Sequence, residues 1–227
     1  MKMTIGITAF NEGELLAEAW ESVINQTSDN WEAVIILDGN CNKKTKQIFN
    51  SIQHPKLRKF TFPSNQGTYP CRTKAIDLAK SEWYVHLDAD DLLPPNAISD
   101  INTSILSNPS AEFIYGSCEH FTTTEAQIIF PDEDPERLCF CPMFYAQAPI
   151  KTSLLKKIGG YNPRLIINAD WDFWISVWEK NIIGIDTGTV LYKRRRLENS
   201  IGTYFIDKRP DIIKMIIKYH PIFFNTE

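Results

Sequence analysis

A short apolar run, Trp83-Tyr84-Val85-His86-Leu87, breaks into Asp88-Ala89-Asp90-Asp91, three carboxylates within four positions. Carboxylates this close raise one another's proton affinity unless solvent or a cation screens them. Mg2+ and Mn2+ accept such oxygen ligands and often share them with substrate phosphates. The run before the acids is rich in aromatic and β-branched residues and is left through Leu92-Leu93-Pro94-Pro95, the pattern of an interior strand. In open α/β sheets ligands collect outside the carboxyl ends of the strands, which is where these acids fall. A plainer role competes. Asp90 or Asp91 starts a turn or caps a helix that begins near Pro95 and carries Ile98, Ile101 and Ile105. Alone, the D-x-D-D cluster does not choose between the two.

The elements around it narrow the choice. Met3 to Phe10 reads as a first strand, followed by Leu15, Leu16, Ala19, Trp20, Val23 and Ile24 at helical spacing. Ala33 to Leu37 is a continuous apolar run, as a strand buried on both faces requires, and stops at Asp38-Gly39-Asn40. A helix near Lys44 to Ile52, a strand Leu57 to Phe62, the loop Pro63 to Gly67 and a helix carrying Ala75, Ile76, Leu78 and Ala79 lead to the acidic strand. Such alternation predicts an α/β fold with a Rossmann-like, mixed but mostly parallel sheet flanked by helices. Three strands then end in polar loops at one crevice: Thr8 to Asn11, Asp38 to Asn40, and Asp88 to Asp91. Beyond Asn108-Pro109 the spacing predicts short strands at Phe113 to Cys118 and Ile128 to Phe130, separated by the turn Thr122 to Glu125. A Pro- and acid-rich loop from Pro131 to Pro135 follows, and then a helix at Thr152 to Ile158 stopped by Gly159-Gly160.

With 227 residues the chain suits one sizeable domain. In this reading it divides into residues 1–109, with the three polar strand ends, residues 110–206, which look like an acceptor-shaping region, and a terminal helix at 207–227. Lys+Arg 24 against Asp+Glu 28 gives a net charge of −4, without the electrostatic footprint of a nucleic-acid binder. Five cysteines at 41, 71, 118, 139 and 141 contain no C-x-x-C pair, which argues against a disulfide framework or zinc knuckle and for a reducing cytoplasm. The N-terminal residues are too β-like for a signal peptide, and no apolar stretch reaches spanning length, so a soluble or at most peripheral protein at the inner membrane face is expected.

Taken together, Thr8-Ala9-Phe10-Asn11-Glu12, Leu37-Asp38-Gly39-Asn40, Asn65-Gln66-Gly67, Leu87-Asp88-Ala89-Asp90-Asp91, Ile158-Gly159-Gly160-Tyr161 and Asn168-Ala169-Asp170-Trp171-Asp172-Phe173-Trp174 follow one another in a telling order. Over most of its length the chain resembles the inverting nucleotide-sugar glycosyltransferases of family 2, which have the A-type glycosyltransferase fold. The resemblance implies that Thr8, Phe10 and Glu12 line a nucleoside pocket, with Asn65 and Gly67 on the donor side, and that Asp38 accepts a hydrogen bond from the base, usually uracil. Asp38-Gly39 also suits a purely local turn. By the same resemblance Asp90 approaches the ribose, Asp91 and Asp90 hold Mn2+ or Mg2+ on the diphosphate, Asp88 steadies the cluster, and Arg72 pairs with a phosphate or with one of the acids. Asp170 matches the family's catalytic base.

Asp170 also suits the N-cap of a helix whose Trp171, Trp174, Ile175 and Trp178 form one stripe, and Asp172 competes with it for the role of base. Residues two apart do not share a helix face, so only one of the pair is expected to face the crevice. Many relatives carry a histidine beyond the base. Here the stretch is Tyr192-Lys193-Arg194-Arg195-Arg196-Leu197-Glu198-Asn199-Ser200, without one. Either water and phosphate complete a metal shell, or the basic run neutralises diphosphate, or it is a solvated loop. Tyr161, Phe144 and Tyr145 are candidates for acceptor contact. The tail Asp211 to Tyr219 reads as a helix packed on the core, with a dimer or membrane contact as the lesser alternative. The resulting expectation is transfer of a single sugar from a nucleotide donor, uridine-based, to a glycan, lipid-linked or other hydroxyl acceptor, in cell-surface polysaccharide synthesis. A non-catalytic binding module of the same fold and a sugar nucleotidyltransferase are the alternatives.

Overall fold

The computed structural model describes residues 1–131, 138–139, 144–182, 184–197 and 205–225. Cys141, most of the acid-rich loop before Pro135, and Glu198 to Ser200 lie outside the described residues. The main sheet contains β1 (Met3–Ala9), β2 (Trp31–Leu37), β3 (Leu57–Thr61), β4 (Trp83–Asp88) and β7 (Ile150–Lys151), in the order β3-β2-β1-β4-β7. The first four are parallel and β7 runs antiparallel to β4. Every residue of β1 and β2 is buried, which is why β2 shows the unbroken apolar run Ala33 to Leu37; in β1 the buried Thr4 and Thr8 interrupt it. β3 lies on the edge and keeps Arg58 and Lys59 partly exposed.

Helices cover both faces. On one, α1 (Leu15–Ile24), α2 (Lys43–Ser51) and α4 (Ala97–Ser107) place Leu16, Trp20, Val23, Phe49, Ile98 and Ile101 against Met3, Ile5, Ile7, Ile35 and Leu37. On the other, α3 (Thr68–Leu78), α5 (Thr152–Ile158), α6 (Ala169–Trp178) and α7 (Arg209–Tyr219) pack against Val34, Ile36 and Tyr84. α5 ends where expected, at Gly159 with φ 96°, a left-handed position that favours glycine.

A second sheet, β6-β5-β8, is built from β5 (Ile114–Phe121), β6 (Ala126–Ile129) and β8 (Ile185–Arg195). β8 runs parallel to β5 and carries residues that the sequence suggested as a basic loop. Its alternation is masked by polar side chains and by register shifts near Ser117, so no strand period shows. The strand is fastened beside the acidic cluster: Leu92 and Lys193 exchange backbone hydrogen bonds of 3.0 and 2.9 Å.

Candidate functional site

Register brings the polar ends together. Thr8 pairs with both Ile36 and Asp88, and Ala9 pairs with Leu37, so Phe10, Asp38 and Ala89 emerge at one edge of the sheet. The Asp38 and Ala89 amides donate to the carbonyls of Ala9 and Thr8 at 2.8 and 3.2 Å, holding the three exits side by side. Asp38 is buried. Its Oδ1 accepts from the amides of Gly39 and Gln66 at 3.0 and 2.7 Å, and its Oδ2 from Gly67 at 2.9 Å. It therefore does more than start a turn: it ties the Pro63–Gly67 loop to the end of β2. Gly39 is required there, since a Cβ would lie 2.3 Å from the Ser64 backbone nitrogen. Asn65 is exposed on that loop, and Gly67, at φ 89°, immediately precedes α3.

Asn11 and Asn42 link the β1 and β2 exits. The Asn42 amide donates to Asn11 Oδ1 at 2.7 Å, while the Asn42 side chain caps α2 by accepting from Thr45 at 2.8 Å. Glu12 folds back to accept from the Phe10 amide at 2.6 Å. Burial pushes its carboxyl up to about 7, aided by the charges of Asp90 and Asp88, so Glu12 faces the acidic cluster. The folded protein keeps this proton up to about pH 7 while the unfolded chain releases it near 4.5. The folded state binds more protons in that window, so stability falls as pH rises through it. Glu12→Gln removes the charge and keeps an acceptor for Phe10. The variant is expected to gain roughly 2–4 °C in Tm over the unaltered protein at pH 8, with the gain vanishing at pH 4; thermal melts at the two pH values check this.

The three acids of the cluster have different surroundings. Asp88 accepts from Arg72 at 2.9 and 2.7 Å and from the Gln147 side chain at 3.0 Å, and His86 Nε2 lies 2.8 Å from its Oδ1. Burial opposes its charge, but Arg72 and then His86 outweigh it and hold the carboxyl well below the usual range. Arg72 is thus the partner of an acid. Its guanidinium lies between Tyr69 and Tyr161, 5.4 and 5.6 Å from their ring centres. Asp91 is buried, and its oxygens accept from the Tyr192 hydroxyl and from the Arg195 amide, the latter at 2.6 Å. Burial, then Asp90 and Asp88, still push its carboxyl up to about 8. Asp90 receives no side-chain donor among the described residues. Burial and the Asp88 charge push it up to about 6, opposed by Arg194 and Arg195. Two adjacent carboxyls therefore carry repulsion that their protein partners do not cancel, the condition a hard divalent cation relieves. Among the described residues no third histidine, cysteine or acid completes a ligand group with them.

α6 settles how the two later acids point. The helix starts at Ala169 after Asn168, which is in the left-handed region at φ 59°, so Asp170 is not the cap but lies in the first turn. Asp172 is buried and turns to the tail, its Oδ1 3.2 Å from His220 Nε2. Asp170 is half-buried on the other side, where its charge acts on Tyr69, Arg72 and Tyr161. Its charge is therefore within electrostatic reach of Arg72, the partner of Asp88. The Tyr69 hydroxyl accepts from the Ala169 amide at 3.1 Å and fixes this turn against α3.

Several expected contacts fall elsewhere. Tyr161 is buried against Arg72, Phe144 packs on Tyr115 and Trp174, and Tyr145, bonded to His120 at 2.9 Å, is half-buried as Phe144 is. Trp171 and Trp174 are core, while Trp178 is 46% exposed. Arg195 is pinned: its Nε donates to the Asp90 carbonyl at 2.9 Å and its guanidinium to Glu18 at 2.6 Å. Arg194 and Arg196 are exposed. His86, Gln147 and Tyr192, which hold Asp88 and Asp91, escaped the sequence reading. His86 and Tyr192 are strand residues whose polar atoms happen to face an acid, and Gln147 lies in an irregular segment with no motif.

A parallel-rich sheet whose strand exits carry these acids, beside a smaller sheet and the helix that carries Asp170, is the A-type glycosyltransferase fold. Residues 4–148 match the family described as Glycosyl transferase family 2, and the chain belongs to it. It is 27% identical over 187 residues to an uncharacterised glycosyltransferase of Methanocaldococcus jannaschii, covering 76% of this chain and 63% of that protein. Among solved structures, S. aureus TarS 1–349 in complex with UDP-GlcNAc aligns with a TM-score of 0.74 at 16% identity, over 89% of this chain and 61% of that one. Mannosyltransferase PcManGT from Pyrobaculum calidifontis, in complex with GDP-Man and Mn2+, aligns with a TM-score of 0.67 at 18% identity, over 91% and 60%. The chain thus spans about three fifths of the length of these proteins. Among the described residues no helix is long and apolar enough to cross a membrane.

Proposed function

We propose that this protein transfers a single sugar from a nucleoside-diphosphate donor, uridine-based, to a hydroxyl of a glycan or lipid-linked acceptor, with inversion and with Mn2+ or Mg2+. The observation that carries the reading is that Arg72 pairs with Asp88 of the acidic cluster and also feels the charge of Asp170, while Asp172 is engaged by His220. TarS and PcManGT, solved with UDP-GlcNAc and with GDP-Man and Mn2+, support the donor class and the choice of metal.

Asp38, with one donor on Oδ2, retains a lone pair for a ring N–H of the base, while Thr8, Phe10 and Glu12 line the pocket with Asn65 and Gly67 at its rim. Asp90, with Asp91 beside it, holds the cation, whose chemistry is to offset charge on the departing diphosphate. Asp91 is oriented by Tyr192, and Asp88 by Arg72. Asp170 takes the proton from the attacking hydroxyl as the new glycosidic bond forms and the bond to the diphosphate breaks. A single displacement of this kind inverts the anomeric carbon without a covalent enzyme intermediate.

Residues 1–109 hold the donor and 110–206 shape the acceptor side in this scheme, with 207–227 packed behind. The four described cysteines are free thiols, which supports a reducing, cytoplasmic setting. Release of UDP from a panel of UDP-sugars with Mn2+, with and without hydroxyl acceptors, tests the reading. Nucleotide binding without release of UDP from any sugar would favour the non-catalytic module instead.

The basic end of β8 divides by role. Arg195 is a fastening, whereas Arg194 is exposed and its charge acts on Asp90. Arg194→Ala is expected to weaken UDP binding with Mn2+ about five- to tenfold at unchanged Tm, the scale of a charge-assisted contact. Arg195→Ala should chiefly lower Tm. Titration calorimetry and melts of the pair separate the two.

A further inference from the structure

The tail of the chain holds the helix that bears Asp170. His220, which follows α7, is buried, with its Nε2 3.2 Å from Asp172 Oδ1 and its Nδ1 3.1 Å from Glu179 Oε2. Asp172 lies in the first turn of α6 and Glu179 caps its C-terminal end, so one imidazole bridges two turns of the same helix. The surrounding contacts converge on the same face. Ile212 and Ile216 are buried in the cluster that contains Trp171 and Trp174. The Phe223 ring meets Trp178 at 5.1 Å and Phe224 meets Trp171 at 6.4 Å. Opposite, Tyr69 holds the Ala169 amide. The first turn is thus gripped from α3 on one side and from the tail on the other, with Asp170 between the two grips.

Resting on the reading of Asp170 as the base, we infer that His220 is a positioning residue for catalysis: through Asp172 and Glu179 it fixes the rotation of α6 and thereby aims Asp170 into the crevice. A buried carboxylate in the first helical turn needs a partner, and a neutral apolar residue in its place would leave the turn looser on this side. Placing the charged partner on the tail makes the geometry of the base depend on a segment that touches no donor-site residue named above. Burial works against a charged ring, but Asp172 and Glu179 outweigh it and raise the proton affinity of His220, consistent with a charge-assisted bridge.

The test compares His220→Ala, His220→Gln and Glu179→Gln with Asp170→Asn, using UDP release from the UDP-sugar that the panel selects, calorimetric UDP affinity with Mn2+, and hydrogen exchange of α6 amides. His220→Ala is expected to lower kcat about ten- to hundredfold, the cost of a misplaced reacting group, with KM and UDP affinity changed less than about twofold. Exchange should quicken in the first turn of α6 but not in β1 or β2, and His220→Gln should recover part of kcat. If His220→Ala does not fold, Glu179→Gln carries the test, with a smaller loss of kcat in the same direction. Unchanged kcat in the folded His220 variants, or a loss shared by kcat, UDP affinity and exchange throughout the sheet, overturns the inference. Asp170→Asn as active as the unaltered protein overturns the assignment of the base itself. Loss of activity in Asp170→Asn with unchanged kcat in His220→Ala overturns the positioning role alone.

Discussion

Asp170→Asn is expected to lower turnover by about 10²–10⁴-fold while leaving Mn2+-dependent UDP affinity nearly unchanged, the range over which a positioned general base contributes. The amide is isosteric, so the first turn of α6 and the Tyr69–Ala169 bond persist, and only the proton acceptor is lost. Asp172→Asn behaves differently. Its carboxylate is committed to His220, so the expected result is a lower Tm and a turnover loss well short of that in Asp170→Asn. Parallel kinetics and melts of the two variants check the contrast, and full turnover in Asp170→Asn removes Asp170 from the mechanism.

Asp90→Ala produces the second large effect, with opposite signs on two readouts. The carboxyl is half-buried beside Asp88 and Asp91, without a side-chain donor of its own among the described residues. Its removal relieves repulsion in the metal-free protein, so Tm without metal is expected to rise. It also removes the least encumbered ligand, so affinity for UDP with Mn2+ falls by at least about 100-fold, the upper end of what loss of an outer partner costs at a metal site. Asp91→Asn should weaken binding less, because the side chain keeps one oxygen to accept from the Arg195 amide while its NH2 can donate to the Tyr192 hydroxyl oxygen. Melts without metal and titrations with Mn2+ measure both signs on the same samples.

The centre of the main sheet was legible because β2 is buried on both faces, and burial of that kind writes itself as an unbroken apolar run, Ala33 to Leu37. The crevice was legible because three such runs end in polar residues, and a parallel sheet places those ends together. β8 was not legible: its Asp186-Thr187-Gly188-Thr189 start and Lys193-Arg194-Arg195 end resemble loops, and only its pairing with β5 reveals the strand. The orientation of the α6 acids was also out of reach. Asp170 and Asp172 differ by nothing local, and the group that separates them, His220, is 48 residues away from Asp172. Arg72 is the intermediate case. Its sequence context left a phosphate or an acid as partner, and the structure pairs it with Asp88 because α3 packs over β1 and β2, next to the end of β4.

The most direct test of the central claim, that the strand-end acids form a metal-assisted nucleotide site, is calorimetric titration of UDP, GDP, CDP and ADP into the full chain with and without Mn2+. The account predicts binding of UDP that requires Mn2+ and exceeds that of the other three nucleotides. No binding of any of the four in the presence of Mn2+ would contradict it and leave Asp88, Asp90 and Asp91 as a structural turn.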